Sequence, residues 1–411
     1  MAVAVLIQAL LFFTFEPEIA PDSRLYMAPA ESLVSSGAAL NPLGEPDTII
    51  TPGYPLYLAA FLFSHLGYAG AIAGQRLLWI LVVAGATWLS FQATRNLIVA
   101  VVAGLITAID LPALQATNSI LAETVATVFV GLAALQAYRA AGSRRIAVAV
   151  IAGALAGAAA LVRPVAILLG AALALAIVLA GSRASRVRAA AIVLAVSLAA
   201  VLAWTVRNYI QSGVATFSSL SSKNLLLFRA AGSLAIRDPG GIDANLPRRQ
   251  AELELEACHA VEARFDRPCE SVPIAQRATI YSGLAMPIIF GNPGGTALQA
   301  ARAFVMILFG GGASMLANAT GLSESAARLV ALAYTVPLAL LAAIGALYWW
   351  RVDRLAAAVL LLTIAYLVVI PLGAEAYSRF RVPFLPLYAM LAGGGAAALA
   401  DRWIPGKPML K

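Results

Sequence analysis

Long, uninterrupted apolar runs constrain this chain more than any motif does. They lie at about residues 1–15, 71–93, 96–115, 119–138, 146–162, 164–180, 189–209, 326–350, 355–372 and 382–400, with only short polar or Pro/Gly-rich interruptions. Most approach the roughly 20 residues that an α-helix needs to cross a hydrocarbon core about 30 Å thick. A barrel strand would alternate polar and apolar positions over about ten residues, whereas a stretch such as VAVIAGALAGAAALV does not alternate at all. Of the 411 residues, 61% are hydrophobic and 12% charged, against about 45–50% and 25% in soluble domains. The expected fold is therefore an all-α polytopic membrane protein, a bundle of about 10 transmembrane helices.

In a soluble protein the net charge of +8 would suggest a nucleic-acid partner, but in a membrane protein the cations first set orientation. The loops holding Arg95, then Arg139, Arg144 and Arg145, then Arg183, Arg186 and Arg188, then Arg351 and Arg354, then Arg402, Lys407 and Lys411 carry twelve cations against Asp353 and Asp401. Cationic loops stay in the cytoplasm. Residues 16–70 and 210–325 then face the periplasm of a bacterial inner membrane, and nucleic acid drops out as a partner. The first run is the shortest and reads as a short first span, with a cleaved signal peptide as the alternative. The run TALQAARAFVMILFGGGASMLA at 296–317 breaks the alternation of sides. A half-helix or interfacial helix ended by Gly310, Gly311 and Gly312 keeps Arg351 and Arg354 inside, whereas a full span would put them outside.

Three regions follow. Residues 1–209 form an N-terminal transmembrane module whose first outer loop is 16–70; residues 210–325 form a periplasmic lobe with the interfacial or re-entrant helix; residues 326–411 form C-terminal transmembrane helices with an outer loop at 371–386. Within the lobe, residues 210–295 are soluble in composition, with eight acids and eight bases, and include the amphipathic stretch RRQAELELEACHAVEARF. Two or three short helices are expected there. Cys258 and Cys269 also lie there, and an oxidising periplasm would join them in a disulfide; two free thiols, or a zinc site with His259, are the alternatives. The sequence shows no internal repeat of the kind that builds many secondary transporters.

Ionisable residues near membrane depth are costly unless paired or working. Here Asp22, Arg24, Asp110, Glu123, Arg163, Arg207, Glu375, Arg379 and Arg381 gather at span ends and short loops on the outer face. Asp22 and Tyr26, four apart, would share one face of a helix, although Asp22 after Pro21 also suits a helix N-cap. In TIITPGYPLYLAAFLFSHLG, Pro52, Gly53 and Pro55 set a turn before an aromatic helix too short to span, which suits the interface or a re-entrant element. Glu123 lies one turn into an apolar run and needs a partner. Arg163, in a tight Arg-Pro hairpin, could meet it, in a pairing either structural or functional. Arg379 and Arg381 read as a clamp for a phosphate or lipid headgroup, because guanidinium forks match phosphate oxygens; anchoring, with Glu375 paired to one of them, is the plainer reading.

Taken in chain order, D-S-x-x-Y from Asp22, T-P-G-Y-P around Tyr54, S-x-x-x-E ending at Glu123, A-L-V-R-P with Arg163, W-x-x-R-N with Arg207, and E-x-x-x-R-F-R-x-P-x-x-P from Glu375 resemble the GT-C superfamily of membrane glycosyltransferases. The likeness is greatest to bacterial relatives of protein O-mannosyltransferases and aminoarabinose transferases, and it runs from Asp22 to Pro386. The resemblance implies transfer of a hexose or pentose from a polyprenyl-phosphate carrier to a glycan, lipid or protein acceptor on the outer face. It implies Asp22 as catalytic base, Glu123 as a second acidic position, and Arg379 and Arg381 as holders of the lipid phosphate. Arg163, Arg207, Tyr26, Tyr54 and Glu375 are the further donor-side candidates. With arginines on the phosphate no metal is obligatory, although a divalent ion is compatible, and a single displacement would invert the anomeric carbon. The sequence departs from the pattern in its short first span, in a single Asp where protein O-mannosyltransferases carry an adjacent acidic pair, and in a small lobe that leaves the acceptor unassigned. A polyprenyl-phosphate-binding assembly or flipping protein and a secondary transporter are the alternatives.

Overall fold

The structure, a computed structural model, describes residues 2–14, 18–181 and 183–403. Among these, every regular element is helical, and the only β pairing is two isolated bridges. The α-helices are α1 (Ala2–Thr14), α2 (Ser23–Ser36), α3 (Gly53–Phe63), α4 (Gly67–Thr94), α5 (Leu97–Ile109), α6 (Leu111–Asn118), α7 (Glu123–Gly142), α8 (Ile146–Val162), α9 (Leu169–Leu179) and α10 (Ala184–Ser212). There follow α11 (Ser219–Asn224), α12 (Ala231–Ala235), α13 (Gly241–Phe265), α14 (Ile274–Gly291), α15 (Pro293–Phe309), α16 (Ala313–Thr320), α17 (Glu324–Val352), α18 (Arg354–Val369) and α19 (Leu385–Trp403).

The chain is a multi-pass helical membrane protein, with fewer full-length spans than the apolar runs suggest. Among the described residues five helical segments, α4, α7, α10, α17 and 378–401, are long and apolar enough to cross, and up to seven if each of two bent pairs is one span. Ala2–Leu11, Ile146–Val162, Pro164–Leu179 and Arg354–Val369 fall where spans are expected, but have only 10–17 residues. An apolar run records composition; the breaks that shorten a helix come from single residues within it.

Two such breaks matter for the site. The run at 96–115 bends by 52° between α5 and α6. There Asp110 leaves helical geometry, and its carboxylate accepts from the Ala113 N–H, starting α6 with Pro112 in the first turn. The run at 296–317 bends by 47° between α15 and α16, where Gly311 and Gly312 take φ of 58° and 77°. That conformation favours glycine.

Packing inside the bundle relies on small residues, as expected where lipid supplies no hydrophobic drive between helices. At Gly345 an added Cβ would lie 1.7 Å from the Leu391 carbonyl oxygen, so α17 and α19 touch backbone to backbone. In the lobe, the amphipathic stretch belongs to α13, a 25-residue helix longer than the short helices expected. Cys258 and Cys269 are disulfide-bonded, tying its C-terminal half to the following turn.

Candidate active site

Asp22 is positioned by a seam between the first outer loop and the α6–α7 junction. Glu18 donates its N–H to the Asn118 carbonyl at 3.0 Å and its carbonyl accepts from Ile120 at 3.4 Å, while its carboxylate accepts from the Ser119 hydroxyl at 3.1 Å. The Ser23 hydroxyl donates to the Ile120 carbonyl at 3.0 Å. Asp22 stands at the N-cap position of α2, yet its side chain makes no capping hydrogen bond. It reaches Arg379 instead.

Four charges meet there. Arg379 contacts Asp22 through Nη2, and its Nε lies 3.3 Å from Glu123 Oε1. The same Glu123 oxygen lies 2.7 Å from Arg163 Nη1. The side chain of Asp22 is 43% exposed, that of Glu123 2%. Glu123 is the first residue of α7, where the helix dipole favours an anion; Arg163 caps α8 at the Arg-Pro turn. Although close to Glu123, Arg163 Nη1 and Arg379 Nε donate no aligned hydrogen bond to it. Their faces are covered by rings: Arg379 lies 4.8 Å from the Tyr377 centroid and Arg163 5.3 Å from that of Phe380.

Tyr26 belongs to this group. Burial pushes its phenol up to about 12; Arg163 lowers it, Glu123 and Asp22 raise it, and Arg379 lowers it. Its ring meets that of Tyr54 edge-on at 5.0 Å.

The remaining candidates lie elsewhere. Tyr54 is fully buried and donates to Gln75 Oε1 at 2.6 Å, so its hydroxyl faces protein and not donor. Arg207 donates to the Asp47 carbonyl and to Asn208 Oδ1, with its guanidinium over Trp204 at 4.7 Å. Glu375 pairs with neither Arg379 nor Arg381; its nearest cation is Arg229, at 3.9 Å. Burial raises the Glu375 carboxyl above its ordinary value, against its own backbone N–H and Arg229, which lower it.

Arg381 is the largest correction. It is fully buried, 2.7 Å from the equally buried Asp110, and donates to the carbonyls of Ile307 and Leu308 at 3.2 and 2.9 Å. Those carbonyls close α15, whose negative dipole end suits a cation. The physical reason is local: residues 378–384 form a 3₁₀ turn, and at three residues per turn two positions apart point away from each other. Arg379 faces the cluster and Arg381 the protein interior. The Thr127 hydroxyl, donating to the Val382 carbonyl at 3.1 Å, holds this turn against α7.

Sequence reasoning grouped Asp110 with the outer-face charges but gave it no partner, and gave no role to Tyr377 or Phe380. The aromatic–Arg alternation of AYSRFR was the available signal for the rings; Asp-Leu-Pro inside an apolar run was that for Asp110. Asp22 and Glu123 share one guanidinium, and among the described residues no group of three or more His, Cys, Asp or Glu converges as a metal site would require.

No protein-family model and no curated protein matches the sequence. Solved structures do. An Archaeoglobus fulgidus oligosaccharyltransferase in the apo form, and the archaeal oligosaccharyltransferase AglB from Archaeoglobus fulgidus in complex with an inhibitory peptide and a dolichol-phosphate, align over 98% and 100% of this chain at 16% and 14% identity, with TM-scores of 0.54 and 0.51. The chain spans about half of their length, 50% and 52%. ArnT from Cupriavidus metallidurans bound to undecaprenyl phosphate aligns over 96% of this chain and 76% of its own, at 15% identity and a TM-score of 0.40. The helical membrane fold expected from the motifs is thus shared with these oligosaccharyltransferase structures.

Proposed function

We propose that this chain is an integral membrane glycosyltransferase that moves a sugar from a polyprenyl-phosphate carrier to an acceptor on the periplasmic face, with Asp22 as general base. The observation that carries this is the cluster itself: a solvent-reachable carboxylate on the same guanidinium as a buried one, beside a second arginine. The AglB complex holds a dolichol-phosphate, and the shared fold supports a lipid phosphate as the ligand here.

The chemistry needs a base on one side of the anomeric carbon and cations on the other. A lone pair on the acceptor forms the new bond to that carbon as the bond to the phosphate oxygen breaks. The bonding electrons leave on the phosphate, and the acceptor proton goes to the Asp22 carboxylate. Arg379 and Arg163 stabilise the charge that grows on the phosphate. Their N–H groups that do not face Glu123 supply the hydrogen bonds, and Glu123 anchors Arg163 through Nη1 and the Nε edge of Arg379. As Arg379 turns toward the phosphate it releases Asp22, so donor binding frees the base. One displacement inverts the configuration.

The test is Asp22→Asn in purified protein with a labelled polyprenyl-phosphate sugar. Transfer should fall by about two to four orders of magnitude while carrier binding survives; unchanged turnover would reject Asp22 as the base, and a product of retained configuration would reject the single displacement.

A further inference from the structure

At the end of the bundle away from Asp22, two apolar depressions share one ridge. One, of about 310 Å³, lies among Trp88 and Gln92 of α4, Leu135 and Arg139 of α7, and residues of α17, α18 and α19. The other, of about 370 Å³, lies between Thr87, Trp88 and Phe91 of α4 and Leu97 and Ala100 of α5. Trp88, 53% exposed, stands between them. Glu123 opens α7 and Arg139 lies near its far end; at 1.5 Å per residue their separation along the helix is about 24 Å.

A guanidinium lies beside each depression. Arg139 lines the first, and Arg95 lies over the ring of Phe91, which lines the second, at 5.9 Å from its centroid. Among the described residues neither arginine forms an ion pair with a carboxylate. Two acids stand at this rim: Asp353 is already engaged, accepting from the Tyr138 hydroxyl at 2.7 Å and from the N–H groups of Leu355 and Ala356, and Asp401, near Tyr348, forms no ion pair with either arginine. Arg95 also sits where a helix ordinarily ends in glycine, at φ 52° in the left-handed region. A long cationic side chain is kept there against its backbone preference.

We propose that this surface binds one anionic diacyl phospholipid, its two chains in the two depressions astride Trp88 and its phosphate between Arg95 and Arg139. Two grooves meeting at one ridge fit two chains on one headgroup, and two unpaired cations select an anionic headgroup over a zwitterionic one. The site is independent of the sugar-transfer chemistry.

The test is native mass spectrometry of the full chain in detergent, titrated with phosphatidylglycerol or phosphatidylcholine. Wild type should retain one phosphatidylglycerol in preference to phosphatidylcholine. Arg95→Gly and Arg139→Gln should each weaken retention about fivefold, and Arg95→Gly should fold at least as well as wild type because glycine relaxes the left-handed position. A phosphatidylglycerol brominated in its acyl chains should quench wild-type fluorescence more than that of Trp88→Phe. Equal retention of the two lipids, wild-type retention by both arginine variants, or equal quenching would overturn the proposal. Displacement of the bound lipid by equimolar undecaprenyl phosphate would do so too, by assigning the surface to a polyprenyl chain.

Discussion

Asp22 and Glu123 contact the same guanidinium, but their burial separates what each contributes. An exposed ion pair contributes about 0–1 kcal/mol, whereas stripping the partner from a buried one costs about 3–5 kcal/mol. Asp22→Asn should therefore leave the melting temperature nearly unchanged while removing two to four orders of magnitude in turnover, roughly what a general base supplies. Glu123→Gln strips Arg163 and Arg379 of the carboxylate they share and should lower the melting temperature markedly; equal stability losses in the two variants would refute this division. Asp47, buried in the first outer loop, makes a pH prediction. Burial pushes its carboxyl up to about 6, against the Ile49 and Ile50 N–H groups and Arg207, which lower it. The folded chain holds that proton more tightly than the unfolded chain does, so the contribution to stability is full below the ordinary pKa and fades as pH rises through about 6. Asp47→Asn should raise stability by up to about 3 kcal/mol at pH 7.5 and by almost nothing at pH 3.5, which thermal melts at the two pH values would read. Asp22, Glu123 and Arg163 were legible because charge in apolar sequence demands an explanation. Arg381 was misread because sequence spacing alone does not reveal a 3₁₀ turn, and that turn decides which of two neighbouring arginines faces the cluster.

Single residues shape the elements that carry this site, and the break at Asp110 is the clearest case. The run at 96–115 is apolar enough to read as one helix, and nothing in its hydropathy marks the bend. What marks it is Asp110 before Leu111 and Pro112, a start signal placed inside a span. The same carboxylate neutralises Arg381, which in turn caps α15, so the α5–α6 break, the 3₁₀ turn and the end of α15 are fixed by one buried pair. Removing one partner leaves an uncompensated charge. Asp110→Asn should cost about 3–5 kcal/mol, and the double variant Asp110→Leu/Arg381→Met should recover most of it, since apolar replacement of a whole buried pair is often neutral. A double-mutant cycle by thermal or denaturant unfolding measures this; additive losses would show that the two charges do not act as a unit. The three glycines after α15, by contrast, were legible as a break because their chemistry is local. The α5–α6 bend depends on a partner 271 residues away.

Across the whole molecule, charge is sorted by the ends of the helices. Arg139, Arg144 and Arg145 follow or close α7, Arg183, Arg186 and Arg188 open α10, and Arg351 and Arg354 flank the α17–α18 turn. The cluster of Asp22, Glu123, Arg163 and Arg379 lies at the opposite end of α7. The disulfide-bonded lobe follows α10, beyond the end opposite its arginines. Cationic loops are retained in the cytoplasm and stable disulfides form outside it, and both constraints favour the orientation proposed above. Reporter fusions at Ser143 and Ser185 should accordingly read cytoplasmic, and a fusion at Asn245 periplasmic. In intact cells Cys258 and Cys269 should resist thiol labelling until a reductant is added. An inverted pattern would place Asp22 beside the nucleotide-sugar pool of the cytoplasm, and the case for a lipid-linked donor would fail with the topology even if the cluster geometry were correct.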